Sequence, residues 1–394
     1  MPDGATKAVR LCCLLVLLAA RPAAGADPHI LLGPPDFLVA DQPRVAVTVR
    51  DPGPPIQTFG PAPANVFLLD TAAQGILAVD TAVAQMVPNG YQTVAQYEET
   101  GIGTMMMDVS AAYEVEVTGD SGGPQTLTGV RLLSSATLNL MGYDGVVGMA
   151  GLVGRIASLD LAAMMAGGFP DYMDVHFPAA MPPGGGHRYD VPLTLVDFPP
   201  AGQQDPGDPL PTMAPLPFAA ASLTCDGATA PASLAMDTGA QLSIISTSVA
   251  FALGMDSDGD GDLDADKILG YLPIGGVGSA DAPLVSVDRL ALPTAQGVDL
   301  VWTDVLALVV DIDPAIDGVV GMEVLAGGWA DRLLGGPVDG YFEQIHFDFR
   351  DAGILTGMMS VDLAAVHDVV VPEPASAALL AAAAGLVAIR RRRE

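Results

Sequence analysis

Two aspartates stand in matching surroundings. Phe67-Leu-Leu-Asp-Thr-Ala-Ala-Gln74 and Leu234-Ala-Met-Asp-Thr-Gly-Ala-Gln241 place Asp70 and Asp237 167 residues apart (237 − 70). In each copy an apolar run ends in Asp-Thr, then a small residue and Ala-Gln, as expected where a buried strand stops at a tight turn. Two carboxylates held a hydrogen bond apart around one water cannot both ionise, so they share a proton. One can then act as base on the water while the other donates to a carbonyl oxygen, with no covalent intermediate.

Such a pair must be positioned by two like elements, and the rest of the chain repeats in the same order. Gly101-Ile-Gly-Thr104 corresponds to Gly276-Val-Gly-Ser279, each leading into a strand-like mixture. Tyr143-Asp-Gly-Val-Val-Gly-Met149 matches Ile316-Asp-Gly-Val-Val-Gly-Met322, at spacings of 74 (144 − 70) and 80 (317 − 237) from the two aspartates. Tyr172-Met-Asp-Val-His-Phe177 is shadowed by Tyr341-Phe-Glu-Gln-Ile-His-Phe347, with the His-Phe pairs 170 residues apart (346 − 176). A repeat of about 170 residues is too long for a solenoid unit and has the size of a lobe, so it predicts duplication followed by pairing.

The order Asp-Thr-Gly/Ala, Gly-rich hairpin, apolar-apolar-Gly resembles the aspartic proteases, which carry it twice per chain in pepsin-like enzymes and once per subunit in retropepsins. The resemblance covers most of the mature chain through short motifs, of which Asp-Thr-Gly-Ala with Gly-Val-Val-Gly is the specific part. It implies an all-β protein of two similar β-rich lobes with short helices. It also implies an exported aspartic endopeptidase acting on a peptide or protein substrate, with Asp70 and Asp237 catalytic and no cofactor for catalysis. Thr71 and Thr238 would make crossing hydrogen bonds between the lobes, and Ala72 and Gly239 would let backbone approach the pair. Val146-Val147-Gly148 and Val319-Val320-Gly321 would thread the chain behind each aspartate. Gly101, Ile102 and Gly103, and Gly276, Val277 and Gly278, would form flaps, two of them as in retropepsins; no clear flap tyrosine of the pepsin kind is evident, although Tyr97 is nearby.

Two departures matter. The first copy has Ala72 where the family usually has glycine, and its methyl would crowd the turn if the backbone there needed positive φ. Ala73 and Ala240 stand where pepsin-like enzymes usually carry a hydroxyl. Ala72 and the missing flap tyrosine leave a catalytically inactive pepsin-like surface or matrix protein as the alternative, while Ala73 and Ala240, as in retropepsins, imply a dyad that holds its proton to higher pH.

The chain opens with Lys7 and Arg10, the apolar run Leu11 to Ala20 and small residues to Ala26, the three regions of a secretory signal peptide over residues 1–26 with a cut before Asp27. Cys12 and Cys13 fall inside it, leaving Cys225, so a core and not cross-links must hold the fold. Half the chain is apolar, which supports a large core. Short β-rich runs such as Val45–Val49, Tyr113–Val117, Val191–Val196 and Leu300–Val310 are punctuated by Gly and Pro, again predicting an all-β architecture. The lobes are expected over 27–182 and 183–366, with Pro199 to Pro217 an exposed connection inserted in the second. A net charge of −30 makes nucleic acid an improbable partner, because phosphate binding needs a basic footprint.

Three further motifs carry expectations. Gly119-Asp-Ser-Gly-Gly-Pro124 spells the nucleophile signature of chymotrypsin-like serine proteases, but the histidine upstream of Ser121 is His29, almost at the mature terminus, so the hexapeptide reads as a hairpin turn. Asp256, Asp258, Asp260, Asp262 and Asp264 alternate around Gly261 over 256–267, as in a structural calcium loop. Lys267 takes the twelfth place, where an EF-hand has glutamate, so Asp266 would have to close the site; the plainer reading is a solvated acidic loop. Finally, Val371-Pro-Glu-Pro374, an apolar stretch to Ile389 and Arg390–Arg393 resemble a PEP-CTERM sorting signal over 371–394. That implies an exosortase-type sorting enzyme as partner, transient membrane insertion of the tail, and delivery to the cell surface or extracellular matrix of a Gram-negative bacterium. An ordinary C-terminal membrane anchor is the other reading.

Overall fold

The structure is a computed structural model that describes residues 28–35, 42–61, 65–136, 140, 142–163, 173–184, 187–198, 205, 207–276, 278–327, 341–364 and 369–370. The expected signal peptide and sorting tail lie outside the described residues, as do Val277 and much of the Pro-rich segment. Among the described residues no helix is long and apolar enough to cross a membrane.

The fold is all-β, with one sheet of 14 strands and one of 10. Its centre in each half is the same path of five strands. In the first, Val66–Leu69 runs parallel to Gly145–Val147, which is antiparallel to Ile76–Val79, which is parallel to Leu133–Ser135, which is antiparallel to Thr104–Ser110. In the second, Ala228–Met236 runs parallel to Gly318–Val320, then antiparallel to Ser243–Ile245, parallel to Asp299–Val309 and antiparallel to Gly278–Pro293. The apolar runs of the repeated motifs become these strands because they are buried on both faces, which explains their lack of alternation.

The repeated Asp-Gly-Val-Val-Gly motif has a structural use that is the same twice. Asp144 Oδ2 accepts from Val66 N at 3.0 Å, and Asp317 Oδ2 accepts from Ser233 N at 2.8 Å. Val66 and Ser233 each precede the Asp-Thr aspartate by four residues. Each motif thus pins the strand that delivers the aspartate.

Sheet membership does not follow the sequence division expected at residue 182. The strand His29–Gly33 runs parallel to Asp299–Val309 in the second half. Ile156–Asp160 pairs with Asp174–His176 on one side and Phe342–Asp348 on the other, so Ser158 sits opposite both His176 and His346, the two histidines of the aromatic echo. Hydrogen bonding between the halves is therefore continuous through the larger sheet. The Pro-rich connection also differs from its expectation. Its later part packs on the first half: Ala214 is buried, its N–H donates to Gln74 O at 3.1 Å, and Thr212 exchanges two bonds with Arg131. Pro at 211 and 215 fixes an extended path that Met213 anchors against the apolar cluster of Leu68, Leu77 and Val146.

Candidate active site

Each aspartate follows the last residue of its strand, and its N–H continues the ladder: Asp70 N donates to Val147 O, and Asp237 N to Val320 O, both at 3.0 Å. The chain then turns tightly enough for the carboxylate to fold back over it. Asp70 Oδ1 accepts from Ala72 N at 2.8 Å and Ala73 N at 3.0 Å. Asp237 Oδ1 accepts from Gly239 N at 2.9 Å and Ala240 N at 2.8 Å. With Oδ1 so held, the second oxygen of each is left free, and Asp70 Oδ2 lies beside Gly239 in the turn of Asp237, close enough for the two carboxyls to couple.

Burial raises both carboxyls above the ordinary carboxylate range, and the charge of Asp70 pushes Asp237 further. The backbone N–H groups pull the other way by favouring the ionised form. The two therefore titrate as a pair sharing one proton.

Thr71 and Thr238, both fully buried, lock the turns together. Thr71 N donates to Thr238 Oγ1 at 3.1 Å and Thr238 N to Thr71 Oγ1 at 3.2 Å. Each hydroxyl then donates across, Thr71 Oγ1 to Met236 O at 2.5 Å and Thr238 Oγ1 to Leu69 O at 2.6 Å. Every hydroxyl accepts one bond and donates one, so no polar atom in this buried crossing is wasted. Gln42 adds another bond between the halves, donating from Nε2 to Gly239 O at 2.6 Å.

Neither residue after Asp-Thr needs a left-handed backbone, since Ala72 and Gly239 are both absent from the positive-φ set. The crowding expected at Ala72 on that ground does not arise. Glycine at 239 is required by proximity instead: a Cβ there would lie 2.5 Å from Asp70 Cγ and from Oδ2.

The residues expected to form flaps fall at the tips of two hairpins, Thr93–Thr100 with Thr104–Ser110 and Gly270–Gly276 with Gly278–Pro293. Gly101 and Gly103 close the first, Gly101 N donating to Gly103 O at 2.8 Å, with Ile102 between them. Gly276 and Gly278 face each other at the second tip, where Val277 lies outside the described residues. The two tips meet: a Cβ on Gly278, whose φ is +90°, would lie 2.6 Å from Gly103 N and 2.8 Å from Gly103 Cα. Tyr97 lies on the inner face of the first hairpin, buried against Leu68, Leu77 and Met107.

Sequence reasoning missed Glu323. It is buried at 1% exposure beside Gly321, and Oε1 accepts from Ser243 N at 2.6 Å while Oε2 has no hydrogen-bond partner among the described residues. Burial pushes its carboxyl up to about 7. The signal was present as an acid interrupting the apolar run after Gly-Val-Val-Gly, in Gly321-Met-Glu-Val-Leu325.

Two other expected sites divide. In the acidic loop, carboxylate oxygens of Asp256, Asp258 and Asp260 lie within 4.8 Å of one another. Asp256 braces the turn, accepting from Gly259, Asp260 and Gly261 N–H groups. Asp262 and Asp264 do not join that group; Asp264 Oδ2 accepts from Ser257 N instead, and Lys267 pairs with Asp226. At the hexapeptide, Tyr113–Thr118 and Gln125–Val130 pair as the hairpin expected. The structure also supplies a histidine from downstream, His176, whose Nδ1 lies 2.7 Å from Ser121 Oγ. Among the described residues no carboxylate bonds the other ring nitrogen, and the contact belongs to a seam in which Asp120 N donates to Val175 O and Phe177 N to Ser121 O.

No family model and no curated relative matches the chain. Among solved structures it is similar to basic 7S globulin from soybean, at 10% identity and a TM-score of 0.42 over 82% of this chain and 93% of that one. It is also similar to an aspartic proteinase from Irpex lacteus, at 11% identity and a TM-score of 0.43 over 83% of this chain and 95% of that one.

Proposed function

We propose that the protein is an aspartic endopeptidase in which Asp70 and Asp237 share a proton around one water. The observation that carries this is the approach of the two turns, on which each carboxylate has Oδ1 fixed by two backbone N–H groups and Asp70 Oδ2 fills the space beside Gly239 of the other turn. The carboxyl that holds the shared proton donates it to the substrate carbonyl, while the other takes a proton from the attacking water. The threonine crossing holds the two turns so that little reorganisation accompanies this exchange.

Ala73 and Ala240 offer each carboxylate an N–H and no hydroxyl, so the ionised form gains less hydrogen bonding than a serine or threonine there would supply. The optimum is expected in weak acid to near neutrality. The test is cleavage of a diverse peptide library between about pH 3 and 8 by wild type, Asp70→Asn and Asp237→Asn. Each substitution should abolish cleavage while leaving thermal unfolding cooperative, and a statine-type peptide should inhibit wild type. Activity surviving either change would remove the pair from the mechanism. Silence of the wild type would favour a catalytically inactive surface or matrix protein.

The same reading includes export and processing of the 371–394 tail by an exosortase-type enzyme, after transient membrane insertion. Intact mass of the surface fraction from a native host should lack Arg390–Arg393. A full-length C-terminus would indicate a plain anchor.

A further inference from the structure

His346, from the second copy of the aromatic echo, lies in a polar row across the sheet that joins the halves. It stands opposite Ser158 on one side and Ser360 on the other, with His176 opposite Ser158 and Asp190 opposite Ser360. Its imidazole is fully buried. Nδ1 lies 2.7 Å from Ser158 Oγ, while Nε2 lies 2.9 Å from Arg188 Nη2 and 3.2 Å from Asp362 Oδ2.

These contacts fix the tautomer. A guanidinium has donors only, so Arg188 Nη2 donates to an Nε2 that carries no proton, and Nδ1–H donates to Ser158 Oγ. Arg188 also donates from Nε to Asp362 Oδ1 at 2.7 Å, from Nη2 to Asp362 Oδ2 at 2.6 Å and from Nη1 to Pro182 O at 2.5 Å. Pro182 is the last residue of the expected first lobe, and Arg188 opens the strand Arg188–Val196. One guanidinium thus ties the boundary to the strands Phe342–Asp348 and Thr356–Leu363.

A proton on Nε2 would turn that acceptor into a donor. Two cationic donors would then face each other at 2.9 Å and compete for Asp362 Oδ2. The imidazole is enclosed, whereas the Arg188 side chain keeps 13% exposure, so Arg188 is the group with room to move. Alternation puts Asp174, His176, Asp160, Asp190 and Asp348 on the same face. Four of these are engaged elsewhere: His176 with Ser121, Asp160 with Gln344, Asp190 with Ser360 and Asp348 with Arg350. Burial pulls the His346 imidazole below its ordinary range, and the Arg188 charge adds to this against the opposing pull of Asp362.

We propose that Arg188, His346 and Asp362 form an acid-released latch at the boundary between the halves, in which neutral His346 holds Arg188 and protonation at Nε2 frees it from His346 and Pro182. The inference does not rest on the endopeptidase reading. Because the folded imidazole titrates below the unfolded one, the latch contributes fully above about pH 6.5, and its contribution is lost as pH falls through the lowered folded value.

The test uses the mature protein with 15N-labelled histidine. Long-range 1H–15N NMR reads the tautomer and protonation of His346 between about pH 7.5 and 4, and hydrogen exchange corrected for the intrinsic effect of pH reads peptides over 187–196. His346 should show the Nδ1–H form at pH 7.5. As it titrates, exchange over 187–196 should rise about ten-fold, as for one lost charge-assisted bond, while the strand Val66–Leu69 stays within about two-fold. His346→Gln keeps a neutral donor and acceptor there and should remove the rise. Glu99 and Glu323, raised by burial to about 7, titrate in both proteins and cancel. If the variant does not fold, the wild type decides alone: an exchange midpoint that coincides with the His346 titration supports the latch, and one apart from it overturns it. An Nε2–H form at pH 7.5, no rise as His346 titrates, or the same rise in His346→Gln also overturns it, whatever peptide cleavage shows.

Discussion

The two dyad turns share a strand path, a pinning aspartate and a threonine, yet they are supported by different chemistry. Behind Asp70 the positions that match Ser243 and Glu323 are Ile76 and Ala150, so the first turn rests on apolar packing. It is closed from outside by the connection, through Gln74 Nε2 to Phe198 O at 3.1 Å and Ala214 N to Gln74 O. Behind Asp237 a buried acid ties Ser243 N, while Ser243 Oγ accepts from Gly321 N at 3.0 Å. The two halves share what touches the carboxylates and differ in what supports them. The turn with glycine is also the one that must pass closest to its neighbour's carboxyl.

The largest expected effect separates the two small residues. Gly239→Ala would place a methyl 2.5 Å from Asp70 Cγ, and a displacement of the order of an ångström in the dyad should lower kcat/KM by about 100-fold or more. Ala72→Gly removes a methyl that the turn already accommodates, so activity should stay within a few-fold and stability should fall by less than about 1 kcal/mol. Peptide cleavage and thermal unfolding of both variants decide it; equal losses would mean that the turns are not asymmetric.

Next comes the crossing, where the halves should behave alike. Thr71→Val or Thr238→Val leaves a buried N–H and a buried carbonyl unpaired, at a cost of about 2–4 kcal/mol each. Serine at either position should recover most of it. Because the two hydroxyls serve different backbone groups and share no bond, the double variant should cost close to the sum. Urea unfolding of the two valine variants, the two serine variants and the double variant measures this, and a double-variant cost well below the sum would show that the two turns give way together.

Glu323 should reveal the supports through pH. Its carboxyl is raised to about 7 in the folded protein, above the unfolded value near 4.5. The stabilising contribution is therefore complete below about pH 4.5 and is lost as pH rises through about 7. Glu323→Gln removes that titration, so the stability difference between wild type and variant should change by up to about 3 kcal/mol across this window and then level off. Glu99 titrates over the same window and is common to both proteins, so it cancels in the difference. A difference that stays flat with pH would show that Glu323 is not buried and neutral.

Much of this was legible because it is written in repeated short motifs. Asp-Thr, the Gly-rich tips and Asp-Gly-Val-Val-Gly recur in order, and buried strand followed by tight turn is a local pattern. What escaped depends on tertiary approach. Nothing local at Gly239 says that Asp70 of the other half fills the space where its side chain would be. His176 reaches Ser121 only because a strand from 174 to 176 returns beside the hexapeptide. The Pro-rich connection looked solvated by composition, yet Ala214 and Met213 find apolar cover on the first half.

The smallest expected effect belongs to a feature present in one half alone. Asp256, Asp258 and Asp260 bring three carboxylates together after the helix Thr247–Ala252, whereas the first half continues from its helix Asp80–Met86 through Val87–Asn89 directly to its hairpin strand at Thr93. Three anions at that spacing repel, and Gly261 at φ +93° turns the chain around the point they share. Calcium there would relieve the repulsion and stabilise the folded state by mass action, while leaving the dyad untouched. Chelation should therefore lower the melting temperature by on the order of 2–4 °C. Lys267 gives its charge to Asp226, so the coordination sphere would be completed by backbone carbonyls and water and the affinity should be modest. Titration calorimetry on wild type and on the double substitution Asp256→Ala/Asp260→Ala reads this directly. Binding heat that disappears in the variant supports a calcium loop; identical traces without heat would leave a solvated acidic turn and a second half that differs from the first only in length.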